Sequence, residues 1–322
     1  PDPTAGLYAA WGSGAGDIWA VGTGGVIVRW DGTAWSAESY GTAGALYDIW
    51  GAGIDDAWAV GNQTILRWNG VSWSRVPSRP VDNFRSVWGT GVADVWAVGS
   101  TMVHEAGTVR EEAAAVHWDG VSWSPVVPGV DVPLVGVWAS SATDVWVIGS
   151  SSVGAHWDGV SWSVRTIEDR TYFTGVWGSG PSSVWVTSTT GLLHWDGVSW
   201  SRVAAIGIRR LAGVFGTGGS DVWIFGSSAD VFRFDGSGWE AVPLGTSDNL
   251  AALWASGPDD AWALGLTRRG TAWVNAVFQW DGVTWSGVDG PETLLMRGVW
   301  GVDSSRVWLV GGYGGGILRH DR

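Results

Sequence analysis

Three histidines of this chain stand in one recurring position. His117, His156 and His194 each precede a tryptophan, and the same position elsewhere holds Arg29, Arg67, Arg233, Gln279 and Arg319. Imidazole is a common metal ligand, but a guanidinium is a permanent cation, so a position that accepts either one is not a metal position. His320 replaces the tryptophan itself in the last occurrence. His104 lies beside Glu105 and near Glu111 and Glu112, a better donor set for a metal, but it falls in an insertion and reads as part of a solvated loop. There is no cysteine, hence no thiolate site and no disulfide framework. No nucleophile with an adjacent base, no glycine-rich phosphate loop and no recognisable arginine triad can be assembled. The expectation is a protein without metal or cofactor and without catalytic residues; a glycosidase-like enzyme is the third reading after two binding functions.

The other chemistry on offer is aromatic. Of 29 tryptophans, 28 fall into two columns of pairs. The first pair is eight apart (Trp11/Trp19, Trp50/Trp58, Trp88/Trp96, Trp138/Trp146, Trp177/Trp185, Trp254/Trp262, Trp300/Trp308, with Phe215/Trp223). A second pair, five apart, follows within most copies; its later members are Trp35, Trp73, Trp123, Trp162, Trp200, Trp239 and Trp285. An indole with one face in water stacks on a sugar ring or on a partner's apolar patch, and a repeated column would gain by avidity. These seven are therefore candidate stacking residues, whereas the first pair is expected to be core.

The elements that position these residues follow from the spacing. Eight copies run approximately 1–40, 41–78, 79–128, 129–167, 168–205, 206–244, 245–290 and 291–322, and form one domain over 1–322. In residues 46–74, β-branched and aromatic runs separated by Gly, Asn and Asp clusters predict four strands, a to d, with c and d joined at Asn-Gly. Strands a and b lack polar alternation, as expected of a sheet covered on both faces. Four-stranded sheets repeated eight times and covered on both faces predict an all-β, eight-bladed β-propeller. Copy eight has a, b and c segments and no d, so its blade is expected to have three strands. The opening PDPTAG is expected to mark either a removed leader or an excerpt of a longer chain.

Only the b-to-c interval varies, and it is long in copies three and seven. In a propeller those connections share a face with the d-to-a connections, so Thr101–Ala115 and Leu266–Ala276 are expected to flank the central opening. Just before strand a, a diverse column (Asn83, Tyr172, Arg210 and Asn249 among its members) sits beside a column of Leu, Phe or Met, which marks surface beside core. The candidate ligand-binding residues are Asp82, Asn83, Arg85, Arg170, Tyr172, Arg209, Arg210, Asp248, Asn249 and Arg297, joined by Arg110 and Trp273 from the insertions.

The net charge of -13 is a weak guide to partners, because seven acids occupy turn positions and six precede the second tryptophan of the first pair, while the remaining 18 match the 18 Arg. With no basic stripe, DNA and RNA are not expected as partners. No apolar run is long enough for a membrane-spanning helix. Segments such as Asp94-Val95-Trp96-Ala97-Val98-Gly99, Ile65-Leu66-Arg67-Trp68-Asn69-Gly70 and Trp123-Ser124-Pro125-Val126-Val127-Pro128-Gly129 resemble tectonin repeats, and the arrays resemble Trp-rich propellers of bacterial surface proteins. That resemblance implies a glycan-binding, lectin-like module, secreted or at a bacterial cell surface, with a glycan or surface glycoconjugate as partner. A protein-interaction scaffold using the b–c/d–a loop face is the alternative.

Overall fold

The computed structural model describes residues 6–38, 44–78, 81–105, 107–167, 171–207, 210–227, 230–245, 249–269, 272–288, 296–312 and 316–321. Blades 1 and 2 are β1–β4 (Leu7–Gly14, Asp17–Gly22, Ile27–Trp30, Trp35–Glu38) and β5–β8 (Leu46–Gly53, Asp56–Gly61, Thr64–Trp68, Trp73–Arg75). Blades 3 and 4 are β9–β12 (Asn83–Gly91, Asp94–Glu105, Thr108–Trp118, Trp123–Val126) and β13–β16 (Leu134–Ser141, Asp144–Gly149, Val153–Trp157, Trp162–Thr166). Blades 5 and 6 are β17–β20 (Phe173–Gly180, Ser183–Ser188, Gly191–Trp195, Trp200–Arg202) and β21–β24 (Leu211–Gly218, Asp221–Gly226, Val231–Phe234, Trp239–Ala241). Blade 7 is β25–β28 (Asn249–Gly257, Asp260–Arg269, Ala272–Trp280, Trp285–Val288), and blade 8 has the three strands β29–β31 (Met296–Asp303, Arg306–Gly311, Gly316–Asp321). Every sheet keeps sequence order, so the chain is an all-β, eight-bladed propeller whose last blade is three-stranded. No described helix is long and apolar enough to cross a membrane.

Turn chemistry sets the register. Asp31, Asn69, Asp119, Asp158, Asp196, Asp235 and Asp281 each accept N–H bonds from the residues two and three further on, at 2.7–3.0 Å. The glycine that follows each one takes φ between +87° and +98°, a region that disfavours a side chain. The connection is therefore a four-residue loop, and the flanking tryptophans are direct cross-strand partners, as in Trp68 with Trp73.

The chain divides into two compact units, Gly16–Phe173 and Thr174–Arg322 with Pro1–Ala15. In the first, the a strands β5, β9 and β13 lie side by side; in the second, β21, β25, β29 and β1 do. The Trp-Gly pair of strand a has a steric cause. A Cβ on Gly89 would come within 2.5 Å of the Trp50 ring of the preceding blade, and Gly216 and Gly301 stand in the same relation to Trp177 and Trp254.

The b tryptophans are the interior, with Trp19, Trp58, Trp223 and Trp262 all at 0% exposure. Five b tryptophans receive a d tryptophan edge-on from the next blade: Trp73 on Trp19 at 5.1 Å, Trp123 on Trp58 at 5.1 Å, Trp162 on Trp96 at 5.7 Å, Trp239 on Trp185 at 5.2 Å and Trp285 on Trp223 at 5.9 Å. This edge-to-face geometry suits the ring quadrupole and adds about 0.5–1.5 kcal/mol per pair to the burial itself.

The copy-three insertion corrects the loop expectation. Pairing of β10 with β11 continues without a break to Glu105 and Thr108, and His104 lies in a strand opposite Val109. Copy seven is built in the same way, its β26–β27 pairing reaching Arg269 and Ala272. The b-to-c length alone does not distinguish such a two-stranded ribbon from a loop.

Candidate functional site

The recurring position before the c tryptophan belongs to the interior wiring of the blades. Its side chain meets the aspartate that opens strand b: Arg29 on Asp17 at 2.9 Å, Arg67 on Asp56 at 2.8 Å, His117 on Asp94 at 2.7 Å, His156 on Asp144 at 2.6 Å and Arg233 on Asp221 at 3.0 Å. The same side chain covers the face of the b tryptophan, as Arg67 does over Trp58 at 5.1 Å and His117 over Trp96 at 4.0 Å. Burial pushes the Asp94 carboxyl up, but the hydrogen bonds from His117 and Thr90 and the charge of His117 outweigh it and hold it below the usual range. In copy five, where Ser183 replaces the aspartate, burial pushes the His194 imidazole down, with Asp196 opposing. Among the described residues no cluster of three or more His, Asp or Glu could hold a metal.

The d tryptophans are half-buried to buried. Trp73 and Trp123 are 8% and 7% exposed and leave no face for a sugar, a correction to their place among the stacking residues. Trp35, Trp162, Trp200, Trp239 and Trp285 are half-buried. For Trp162, Trp239 and Trp285 the partner is the indole or the strand of an adjoining blade.

Of the remaining candidates, Asp82, Asn83 and Arg85 come together at the b–c/d–a edge, at the start of β9. Asp82 Oδ1 accepts from Gln63 Nε2 at 3.3 Å, and its Oδ2 accepts from Thr101 Oγ1 at 3.0 Å and from the Met102 N–H at 2.6 Å. These bonds, led by that of Met102, hold its carboxyl below the usual range. Asp82 thus ties the b–c turn of blade 2 to the long hairpin of blade 3. With its amide oriented to satisfy both neighbours, Asn83 donates to Asn62 Oδ1 at 3.2 Å and accepts from Arg85 Nη2 and Nε at 2.9 and 3.0 Å. The Arg85 guanidinium lies 5.1 Å over the Tyr47 ring, with the rest of the side chain exposed.

Three clefts open on this edge within the Gly16–Phe173 unit. One of about 480 Å³ lies against Gln63, Arg75, Val81 and Asp82. A second, of about 430 Å³, lies against Tyr47, Arg85, Glu111 and Leu134, and a third, of about 240 Å³, against Glu112, Ala113, Val126 and Val130.

No protein-family model matches the chain, and no curated protein does. Solved structures do match. YCF48 from Cyanidioschyzon merolae is 17% identical, over 100% of this chain and 97% of that one, with a TM-score of 0.63. YCF48 bound to D1 peptide is 17% identical, over 90% and 96%, at 0.61. The C-terminal WD40 domain of Sif2 is 8% identical, over 99% and 97%, at 0.73. The shared feature is the β-propeller fold. At these identities no tectonin assignment follows, and the lectin-like expectation gains no support.

Elsewhere on the propeller the candidates are more dispersed. Arg110 on the hairpin is held between Glu112 at 2.6 Å and Glu105 at 3.4 Å. In the other unit, Arg210, Asn249 and Arg297 are exposed, and the Arg210 carbonyl accepts the Ser227 N–H at 3.0 Å. Tyr172 and Trp273 expose 67% and 52% of their surface. Arg170, Arg209 and Asp248 lie outside the described residues.

Sequence reasoning missed Gln63 and Arg75, whose Nη2 donates to the Gln63 carbonyl at 2.6 Å. It also missed Asp48, which accepts the N–H of Ile49 and, from the next blade, that of Val87, both at 2.9 Å. Burial pushes the Asp48 carboxyl up to about 6. A signal for it exists: two residues before the a aromatic, the column reads Ala9, Asp48, Ser86, Gly136, Gly175, Gly213, Ala252 and Gly298, with a single carboxylate.

Proposed function

We propose that the chain is a non-enzymatic binding scaffold that holds a protein partner at the b–c/d–a edge of its blades. The observation that carries this reading is that, among the described residues, three clefts lie on that edge of blades 2 to 4, with Arg85 and the long hairpin between them. Protein recognition uses ~800 Å² per partner, more than one cleft supplies, so adjoining clefts on one edge suit a protein or peptide better than a small molecule. YCF48, a structural neighbour solved with a peptide bound, supports a peptide or protein ligand for this fold. The glycan reading draws on Tyr172 and Trp273, the exposed rings among its candidates, and on the half-buried Trp35 and Trp200. A position outside the cytoplasm stays part of the proposal, on the resemblance to bacterial surface arrays.

The experiment is affinity capture from the source organism followed by calorimetry with the purified partner. Arg85→Ala and Arg75→Ala, each beside one of these clefts, are expected to weaken binding about tenfold, as interface anchors do. Val160→Asp, at a c–d turn on the opposite end of the strands, is expected to leave it unchanged. Equal affinity of all three variants rejects this edge as the binding surface. Binding to a glycan array, with no protein captured, replaces the reading with the lectin one.

A further inference from the structure

The long hairpin of blade 3 has two edges, and they are treated differently. Strand β11 pairs with β12 only from Ala115 to Trp118, whereas it pairs with β10 along its whole length, from Thr108 to Trp118. Residues 108–114 therefore form an outer edge with no strand beside it among the described residues. In an antiparallel ladder the backbone groups of alternate residues turn to alternate sides. The Asp119 N–H donates toward the Ser122 carbonyl on the β12 side, which places the groups of His117, Ala115, Ala113, Glu111 and Val109 on that same side. The last three reach beyond the end of β12.

The opposite edge shows what a blunted edge looks like. Met102 is the cross-strand partner of Glu111, and its N–H turns away from β11 into the carboxylate of Asp82 at 2.6 Å. The side chain of Thr101 is held by the same carboxylate at 3.0 Å. No such cap is recorded among the described residues for the N–H groups of Val109, Glu111 and Ala113. Native sheets rarely leave such an edge open without a bulge, a proline or a covering segment, because it is a template for another strand.

Beside this edge, where the chain leaves β12 and turns toward blade 4, lies the cleft of about 240 Å³. Its walls combine Ala113, Val126, Pro128 and Val130 with the carboxylates of Glu112 and Asp131. On the hairpin itself Arg110 pairs with Glu105 and Glu112 while Glu111 accepts from Ser100, so three carboxylates stand against one guanidinium, and the whole chain carries -13.

We infer that β11 is a strand-addition site: an extended, basic segment of a partner protein pairs antiparallel with Val109–Ala113, in line with β12. Its apolar side chains enter the cleft against Ala113, Val126 and Val130, and its Lys or Arg side chains meet Glu112 and Asp131. Main-chain bonds supply affinity and alternate side chains supply selectivity, the usual division in strand addition. The inference rests on the protein-scaffold reading and names the binding mode at one place on that edge.

The test uses the full chain and a fluorescein-labelled synthetic peptide of alternating Lys and Val, alongside the same peptide N-methylated at alternate amides. Glu111→Pro removes one outward N–H while leaving the bonds to β10, the kind of edge position at which proline is tolerated. Glu111→Gln removes the charge and keeps the N–H. The expected result is binding by the parent chain, retained within about threefold by Glu111→Gln and lost about tenfold or more by Glu111→Pro, the loss of a backbone bond and its register. The N-methylated peptide is expected to fail against every protein, and hydrogen exchange is expected to slow at Val109, Glu111 and Ala113 on binding. Undiminished binding by Glu111→Pro or by the N-methylated peptide overturns strand addition, as does protection confined to other segments; the scaffold reading then stands. Absence of peptide binding to the parent chain also overturns it, and the scaffold reading is decided separately by the Arg85 and Arg75 variants with the captured partner.

Discussion

At the scale of single residues, the structure explains why so many side chains that could do chemistry do none. Asp221 accepts from Thr217 Oγ1 at 2.6 Å, from the Trp223 indole at 3.0 Å and from Arg233 at 3.0 Å, so its oxygens are committed to joining three strands of one blade. Asp221→Ala leaves the half-buried Arg233 cation and the Trp223 indole N–H without their acceptor. The expected loss is about 3 kcal/mol, read from urea unfolding with an unchanged m-value. Gly89 is a second point of rigidity. Gly89→Ala drives a methyl into the Trp50 ring and into the Asp94 carbonyl, 2.7 Å away, and is expected to cost about 1–3 kcal/mol in the same assay.

At the scale of elements, turns and inner strands respond to pH in opposite senses. The turn carboxylates of Asp31 and Asp235 are lowered from 3.8 to about 2, chiefly by the side-chain hydroxyls of Thr33 and Ser237 and then by the backbone N–H groups they accept. A carboxylate with a depressed folded value contributes stability that is present above 3.8 and is lost as pH falls toward about 2. The variant carrying Asp31→Asn and Asp235→Asn is therefore expected to lose less stability than the parent chain over that interval. Asp48 runs the other way. Its folded value is raised to about 6, so the folded state holds the extra proton and stability falls as pH rises between 3.8 and about 6. Asp48→Asn is expected to flatten that slope in thermal melts taken across the interval; an unchanged slope rejects the assignment.

At the scale of the whole molecule, charge and relief act together. A chain with -13 and no lysine attracts a cationic segment over a distance that salt shortens to roughly 8 Å at physiological strength. The affinity for the Lys-Val peptide is accordingly expected to fall several-fold between about 50 and about 200 mM NaCl, mainly through a slower association rate. A salt-independent affinity would show that main-chain bonding alone holds the peptide. The c–d turns at the other end of the strands carry Val71, Val121, Val160, Val198 and Val283, all at least 79% exposed. They repeat because the turn sequence repeats, and they mark the end of the blades at which substitutions provide controls.

The amino-acid sequence by itself determined the eight copies, the four-strand blade, the three-stranded last blade and the core role of the b tryptophans. Those properties follow from local chemistry repeated at fixed spacing: turn aspartates that bond their own backbone, glycines with positive φ, and aromatic pairs held opposite each other across a hairpin. Tertiary structure alone decided how the blades use what the repeats supply. Only packing shows that Trp73 and Trp123 are buried against the preceding blade, because that contact joins residues more than fifty positions apart and leaves no local signature. The same holds for Asp82, whose partners come from blade 2 and from the hairpin of blade 3, and for β11, whose open edge appears only when the short reach of β12 is set beside it.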